Sequence, residues 1–246
     1  MALREQFEAQ GRWLFRWRSY PPLLMIILVA LALRDFRYPA ESHAFDLAWE
    51  ILCLGVALVG VGIRAATLGR VPGGTSGRST RSLGAEVLNT VGLYSVVRHP
   101  LYLGNYLMWV GPAMFVRSWT VLVIVTLGFW LYYERIMFAE EEFLRRRFGA
   151  EYEDWASHTP VFIPRVSGWR PWNLPFSMSA VLRRESSGFF GLIAVFAAIE
   201  VASDLAVSGR IIADPLWTGL FLGAASLYVI VHVMARHTRL LRPDGR

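Results

Sequence analysis

The sequence contains a single cysteine, Cys53, and no lysine. One cysteine excludes an internal disulfide, and a thiol in an apolar helix is typical of inert packing. The first twenty residues carry arginine and tryptophan throughout, with no separate apolar core, so we predict no cleavable signal peptide. Histidine is scarce too, with five in the chain, which leaves few side chains that could act as a base.

Apolar residues dominate the composition of the chain. The chain has 246 residues, of which 54% are hydrophobic, and its mean hydropathy is +0.39. These values are typical of an integral membrane protein rather than a soluble domain. The formal charge of +6 comes from arginine, as expected for cytoplasmic loops that contact anionic head groups.

Six apolar stretches predict an all-α integral membrane protein with about six transmembrane helices. They cover residues 21–33, 45–68, 101–116, 119–138, 188–206 and 215–234. Only Arg117 and Ser118 separate the third stretch from the fourth, so these two form a tight helical hairpin. We divide the chain into an N-terminal interfacial segment with the first span (1–44), a core (45–187), and two additional spans with a basic tail (188–246). Glu200 and Asp204, one turn apart in the fifth span, are expected to face water or a partner.

The arginines favour one orientation. They are concentrated in the N-terminal segment, in the segments 69–100 and 139–184, and at the C-terminus. With six spans, all four regions fall on the same side of the membrane. The positive-inside rule then places both termini in the cytoplasm.

Two polar blocks lie at the predicted membrane edge, where polar groups are costly unless they have a function. The first is residues 98–105, in which His99 and Pro100 precede an apolar helix. It could be no more than a helix start with proline in the first turn. The second, residues 140–148, continues the fourth span and ends at Gly149. It could be a solvated helix with i,i+4 ion pairs, which we expect for Glu142, Arg146 and Arg147. The nearby aromatics Trp130, Tyr132 and Tyr133 are expected to form an interfacial belt.

Together the blocks resemble the isoprenylcysteine carboxyl methyltransferase and phospholipid methyltransferase superfamily of membrane enzymes. The first reads GLYSVVRHPLYLG over 92–104. The second reads EExxLxxxFGxxY over 140–152 and ends in PxxIP at 160–164. The resemblance covers roughly residues 45–165, and it rests on both blocks in this order on either side of a tight hairpin.

The resemblance implies that S-adenosylmethionine (SAM) is the methyl donor, bound in a cytoplasm-facing pocket. A ligand with a sulfonium, an ammonium and a carboxylate needs charged partners and a shaped apolar wall. The implied cofactor-binding residues are Glu86, Asn89, Tyr94, His99, Pro100, Leu101, Tyr102, Gly104, Asn105, Glu140 and Glu141. Glu140, Arg98 and Arg135 are the candidate catalytic residues. Arg135 would orient the acceptor, although eukaryotic members of the family are expected to have that arginine one position later, at Ile136.

The acceptor is expected to be an anionic oxygen of a lipid head group. An ionised acceptor needs a cation rather than a base, and the chain offers many arginines and few bases. The run 69–81 mixes glycine, hydroxyl residues and arginine, which suits a phosphate nest, so Arg70, Arg78 and Arg81 join Arg135 as candidate substrate-binding residues. The run could equally be a flexible basic loop on an anionic membrane surface.

The same loop resembles that of bacterial enzymes that methylate a phosphate of lipid A, which implies a bacterial cytoplasmic membrane. Two other acceptors stay open, the carboxylate of a prenylated cysteine and the amine of phosphatidylethanolamine. A transporter or structural membrane protein without methyl transfer is the alternative from a different class. We expect a lipid partner, no metal and no nucleic acid, and the sequence indicates no oligomeric state.

Overall fold

The computed structural model describes residues 2–18, 20, 28, 32, 43–72, 85–238 and 241, and within these ranges the chain is helical with no strand. The helices are α1 (Leu3–Trp17), α2 (His43–Leu68), α3 (Pro100–Phe115), α4 (Trp119–Phe148), α5 (Ala150–His158), α6 (Met178–Ser208) and α7 (Pro215–His237). Short 3-10 turns cover Gly92–Ser95 and Val166–Gly168. The predicted all-α class is confirmed.

Four of the described helices are long and apolar enough to cross a membrane, so this is an integral membrane protein. They are α2 from Asp46 onward, α4, α6 and α7. The other two predicted spans are not among these four. Helix α3 has 16 residues and contains Pro112, and most of the stretch 21–33 lies outside the described residues. The count of six spans therefore stays a prediction.

The tight hairpin between α3 and α4 is confirmed. The turn uses Arg117 at a φ of 57°, and the Ser118 hydroxyl accepts a hydrogen bond from the Val121 amide at 3.4 Å. Helix α4 then runs past its apolar part to Phe148. Gly149 ends it at a φ of 53°, a backbone conformation that glycine adopts without strain.

Helix α6 begins at Met178, well before the apolar stretch predicted from residue 188. The Ser177 hydroxyl accepts a hydrogen bond from the Ala180 amide and caps the helix. Arg183, Arg184 and Glu185 are thus helical rather than part of an irregular cytoplasmic segment. Hydropathy marks where a helix becomes apolar, which is not where it begins. The helix also runs without a break across the predicted boundary at residue 187.

Helices α2 and α3 pack closely through small residues. A Cβ at Gly60 would lie 2.5 Å from the Gly104 carbonyl oxygen, and one at Gly111 would lie 2.7 Å from the Cys53 carbonyl oxygen. Such contacts are typical of helix pairs in membranes, where packing rather than water exclusion drives association. They hold α3, which carries the first polar block, against α2.

Helices α6 and α7 complete a core in which Phe196 stacks on Trp217 and Phe115 meets both rings edge-on. The same helices bury Glu200, which is 9% exposed, and Asp204. The Trp217 indole donates to the nearby Glu50 carboxylate at 2.9 Å. The expectation that Glu200 and Asp204 face water or a partner is wrong, because helical spacing identifies a shared face but not the helices that cover it.

Helix α1 covers the charged half of α4. Glu142 is only 3% exposed and accepts hydrogen bonds from Arg4 at 3.1 Å and from Arg145 at 2.7 Å. The expected pair with Arg146 is present at 3.9 Å, but the expectation that Glu142 is solvated is wrong. Its charge and spacing suit a solvated face, and the sequence of α4 alone does not show that α1 lies on it.

Candidate functional site

The loop before α3 is fixed by the proline-rich segment that follows α5. Gly92 has a φ of 61°, and a Cβ there would overlap the Trp172 ring. The Arg165 amide donates to the Val96 carbonyl at 2.9 Å, and the Arg98 amide donates to the Pro160 carbonyl at 2.8 Å. These bonds hold the backbone that presents His99.

His99 stands at the N-terminus of α3, with Pro100 in the first turn of that helix. The imidazole is 6% exposed and stacks on the Tyr102 ring, with 5.5 Å between the ring centroids. The helix start anticipated from the sequence is therefore present, and it holds a buried polar ring rather than a solvated one.

The two sequence blocks meet at this ring. His99 Nε2 lies 2.9 Å from Glu141 Oε1, and His99 Nδ1 lies 3.6 Å from Glu140 Oε2. Arg98 Nη1 donates to Glu141 Oε2 at 2.7 Å. Arg98, His99, Glu140 and Glu141 thus form one cluster, which we call the carboxylate–histidine cluster. Glu140 is its more open carboxylate, with 33% of the side chain exposed.

The cluster changes the pKa of its histidine. Burial on its own would lower the pKa of His99, but the hydrogen bonds and charges of Glu140 and Glu141 outweigh it, so the pKa is raised. The pKa of the nearby Tyr94 hydroxyl is raised as well, first by burial and then by the charge of Glu140. Both effects favour a protonated ring and a neutral phenol beside a carboxylate.

The spacing of the second block has a packing explanation. Leu144 and Phe148, before Gly149, and Tyr152, after it, pack together with Leu88 and Trp155. The Trp155 indole also donates to the Tyr94 carbonyl at 2.9 Å. These residues fasten α4 and α5 to the loop that precedes His99.

Sequence reasoning missed a second polar group next to the cluster. Arg64 of α2 makes a two-point ion pair with Glu185 of α6, at 2.7 Å from Nε and 2.6 Å from Nη2. Its Nη1 donates to Asn105 Oδ1 at 2.6 Å and to the Leu101 carbonyl at 3.4 Å. The available signal was an arginine inside an apolar stretch, where a charge needs a partner.

Tyr133 belongs to this group and not to an interfacial belt, so that expectation is wrong for this residue. Its side chain is buried, stacks on Phe129 at 4.2 Å, and lies 5.0 Å from the Tyr102 ring. The Asn105 amide nitrogen donates to its hydroxyl at 3.2 Å. Trp130, by contrast, is exposed, as a belt residue would be.

The predicted acceptor-orienting residue, Arg135, contacts α1 and its own helix rather than the carboxylate–histidine cluster. Its guanidinium lies 3.5 Å from the centre of the Phe7 ring in α1 and donates to Glu134 at 3.1 Å. Arg98 is paired with Glu141, which favours a role in holding the cluster. The roles predicted for both arginines stay predictions.

The other predicted residues are divided among several places. Gly104 is packed against α2, since a Cβ there would lie 2.5 Å from Arg64 Cγ, so this glycine serves helix packing. Glu86 is exposed and Asn89 is half-buried in the loop before Gly92. Arg70 lies over the rings of Trp172 and Phe176, at 5.3 and 4.8 Å. Arg78 and Arg81, with most of the predicted nest, lie outside the described residues.

Comparisons with known proteins agree on one family. Residues 51–151 match the family described as phospholipid methyltransferase. The chain is 33% identical over 162 residues to the nickel-cobalt-cadmium resistance protein NccN of Alcaligenes xylosoxydans xylosoxydans, covering 63% of this chain and 73% of that protein.

Two shorter matches are to named enzymes. The protein-S-isoprenylcysteine O-methyltransferase of Schizosaccharomyces pombe is 30% identical over 33% of this chain and 34% of its own length. Methanethiol S-methyltransferase 2 of Bradyrhizobium diazoefficiens is 37% identical over 30% of this chain and 27% of its own length. No solved structure matches the chain significantly.

Proposed function

Because this chain belongs to the isoprenylcysteine and phospholipid methyltransferase superfamily and is a membrane methyltransferase, we propose that it transfers a methyl group from SAM to an anionic oxygen of a lipid head group. The observation that carries the proposal is the carboxylate–histidine cluster, which joins the two sequence blocks at one end of α3 and α4.

The residues of the cluster fit SAM. Glu140 contacts His99 at 3.6 Å and keeps 33% of its side chain exposed, so its carboxylate can also accept a hydrogen bond from an ammonium or face a sulfonium. The rings of Tyr94 and Tyr102 provide an apolar wall beside it. When bound, the cofactor supplies an electrophilic methyl group. His99, held by Glu141, orients the site and keeps Glu140 facing the donor.

An oxygen acceptor fits the cluster, because His99 does not offer a free imidazole nitrogen as a base. Both ring nitrogens face carboxylates, which raise the pKa of the ring. Without a base, an acceptor that is already ionised is methylated more readily than an ammonium, which must first lose a proton. Alignment of the two reactants and exclusion of water then make the main contribution to the rate.

A phosphate of a lipid such as lipid A is the acceptor we propose. Arg70 is held by two aromatic rings at the start of the arginine- and glycine-rich run, where it could bind a phosphate together with Arg78 and Arg81. The alternative acceptor is the carboxylate of a prenylated cysteine, which the names of the isoprenylcysteine O-methyltransferase relatives favour. We place the protein in a bacterial cytoplasmic membrane with both termini in the cytoplasm.

Donor binding is tested with the full-length protein in nanodiscs by isothermal titration with SAM. We expect His99→Ala and Glu140→Ala to weaken binding about tenfold or more, because Glu140→Ala removes a charged contact and His99→Ala removes the ring that orients Glu140. His158→Ala is the matched control, since this side chain is exposed and, among the described residues, bonds only within its own helix turn. If wild-type protein does not bind SAM, the proposed function is wrong.

The acceptor is tested by incubating the same protein with methyl-labelled SAM and bacterial membrane lipids. We expect label that resists mild base and migrates with a phosphate-bearing lipid. Release of the label by mild base would instead indicate a carboxyl ester and the prenylcysteine alternative. Label on an amine head group would contradict an oxygen acceptor altogether.

A further inference from the structure

A row of polar side chains crosses the helix bundle next to the carboxylate–histidine cluster. It runs from Glu185 to Arg64, then to Asn105, and ends at the Tyr133 hydroxyl. Each residue comes from a different helix, namely α6, α2, α3 and α4. Such a row is costly in a membrane, so it calls for a function.

The arginine determines which way the asparagine points. A guanidinium only donates hydrogen bonds, so it must face the amide oxygen of Asn105. The amide nitrogen then has to face Tyr133, and it donates to the phenol oxygen at 3.2 Å. Arg64, itself fixed by two contacts to Glu185, thus prevents the amide from turning over.

This orientation leaves the Tyr133 proton available. Its oxygen accepts from Asn105, and no acceptor for its proton is found among the described residues. Tyr133 and Glu140 are seven positions apart on α4, which places them on one face about 10 Å apart. Tyr133 lies in the apolar part of α4 and Glu140 lies beyond it, so the phenol is on the membrane side of the donor carboxylates.

We propose that the Tyr133 hydroxyl donates a hydrogen bond to the anionic head group of the methyl acceptor, and that Arg64, Asn105 and Glu185 are positioning residues that keep this proton available. The inference rests on the proposed function, and it adds a substrate contact within the membrane-facing half of the site. A phosphate and a carboxylate would both accept such a bond.

The test measures acceptor KM, kcat and SAM affinity in nanodiscs, with lipid A as the phosphate acceptor and N-acetyl-S-farnesylcysteine as the carboxylate acceptor. Whichever is methylated identifies the class of acceptor. Tyr133→Phe should raise the KM for that acceptor about tenfold or more, as expected on loss of one hydrogen bond to a charged group. It should leave SAM affinity within about twofold.

Tyr132→Phe is the matched control. This neighbouring phenol donates to the Leu14 carbonyl at 2.6 Å and so belongs to the contact with α1. We expect it to leave acceptor KM unchanged even where it lowers thermal stability. An equal rise in KM for Tyr132→Phe and Tyr133→Phe would contradict the inference.

A charge swap separates positioning from simple stabilisation. Arg64→Glu combined with Glu185→Arg restores an ion pair and should recover most of the stability that either single change removes. The new carboxylate only accepts, so Asn105 should turn over and its oxygen should capture the Tyr133 proton. Acceptor KM should stay raised in the swap despite restored stability.

The outcomes are distinct. Wild-type protein that methylates neither acceptor would overturn both the proposed function and this inference. Wild-type protein that methylates one of them, with Tyr133→Phe at wild-type KM or a swap that restores KM, would overturn this inference alone.

Discussion

At the residue scale, His99 joins the two halves of the candidate donor site. It is the first residue before α3, it is buried, and both ring nitrogens face carboxylates of α4. Arg98 reaches the second carboxylate, Glu141, from the same loop. The cluster therefore holds α3 and α4 together as well as shaping the site, and its contribution to stability depends on pH.

The pH dependence follows from the raised pKa of His99. A group whose folded-state pKa lies above its ordinary value near 6.5 contributes its full stability below that value. The contribution is lost as the pH rises through the raised pKa. We expect His99→Gln to lower the free energy of unfolding by about 1–3 kcal/mol at pH 6. This difference from wild type should become smaller as the pH is raised toward 9.

Thermal unfolding in detergent across this pH range checks the expectation. His158→Gln serves as the control, because that side chain is 70% exposed. It should give only a small gap, because its contacts lie in water. A gap for His99→Gln that widens as the pH rises would show that the neutral ring, not the protonated one, is stabilised.

Residues also differ in how far the sequence predicts their partners. The contact of His99 with Glu140 and Glu141 could be anticipated from a resemblance that links the two blocks. The contact of Arg64 with Glu185 could not, because the two lie 121 positions apart and no motif joins them. The predicted interfacial position of Tyr133 and the predicted solvation of Glu142 are wrong for one reason. Residue type indicates a preference for an interface or for water, whereas the neighbouring helices decide burial.

At the element scale, α1 acts as a cover on the charged half of α4. Its inner face places Gly11 directly on the α4 backbone, while Phe15 enters an aromatic cluster with Tyr133. Its outer face leaves Trp13 and Trp17 exposed, and Tyr20 just after the helix extends this row of ring contacts, at 6.1 and 5.3 Å. Such a row is typical of a helix that lies in the membrane interface.

Gly11 makes this cover possible, so we predict that Gly11→Ala detaches α1. A Cβ at this position would lie 2.0 Å from the Arg135 carbonyl oxygen and 2.7 Å from Ala139 Cβ. We expect a loss of about 1–3 kcal/mol from overpacking, seen as faster hydrogen exchange of the α1 amides. Gly128→Ala is the control on α4, since nothing lies within 4 Å of its added Cβ. Unchanged exchange in α1 would contradict this account of the contact.

At the scale of the whole molecule, hydropathy predicted most of the architecture. The hairpin, the long α4 and the stop at Gly149 follow from the sequence, because apolar length and turn residues determine them locally. The start of α6 and the burial of Glu200 do not, because they depend on which helices are neighbours. Through Glu185, α6 reaches the polar row next to the site, so the additional spans are packed against the core rather than appended to it.

The orientation in the membrane is a prediction at this scale. With Cys53→Ala as background, Ser208→Cys should be labelled by an impermeant maleimide added to intact spheroplasts, because this residue ends α6 on the predicted outer side. Ser167→Cys should be labelled only after lysis. Both serines are exposed, so access is decided by the side of the membrane. The reverse pattern would place both termini outside.

The carboxylate–histidine cluster also implies a direction for turnover. When His99 is protonated, the charges of Arg98, His99, Glu140 and Glu141 sum to zero. SAM has a net charge of +1, so donor binding would make the site attractive to an anionic lipid, which favours donor before acceptor. Methyl transfer removes one positive charge from the donor and one negative charge from the acceptor. The attraction that assembles the reactants therefore disappears in the step that converts them, and both products leave a neutral site.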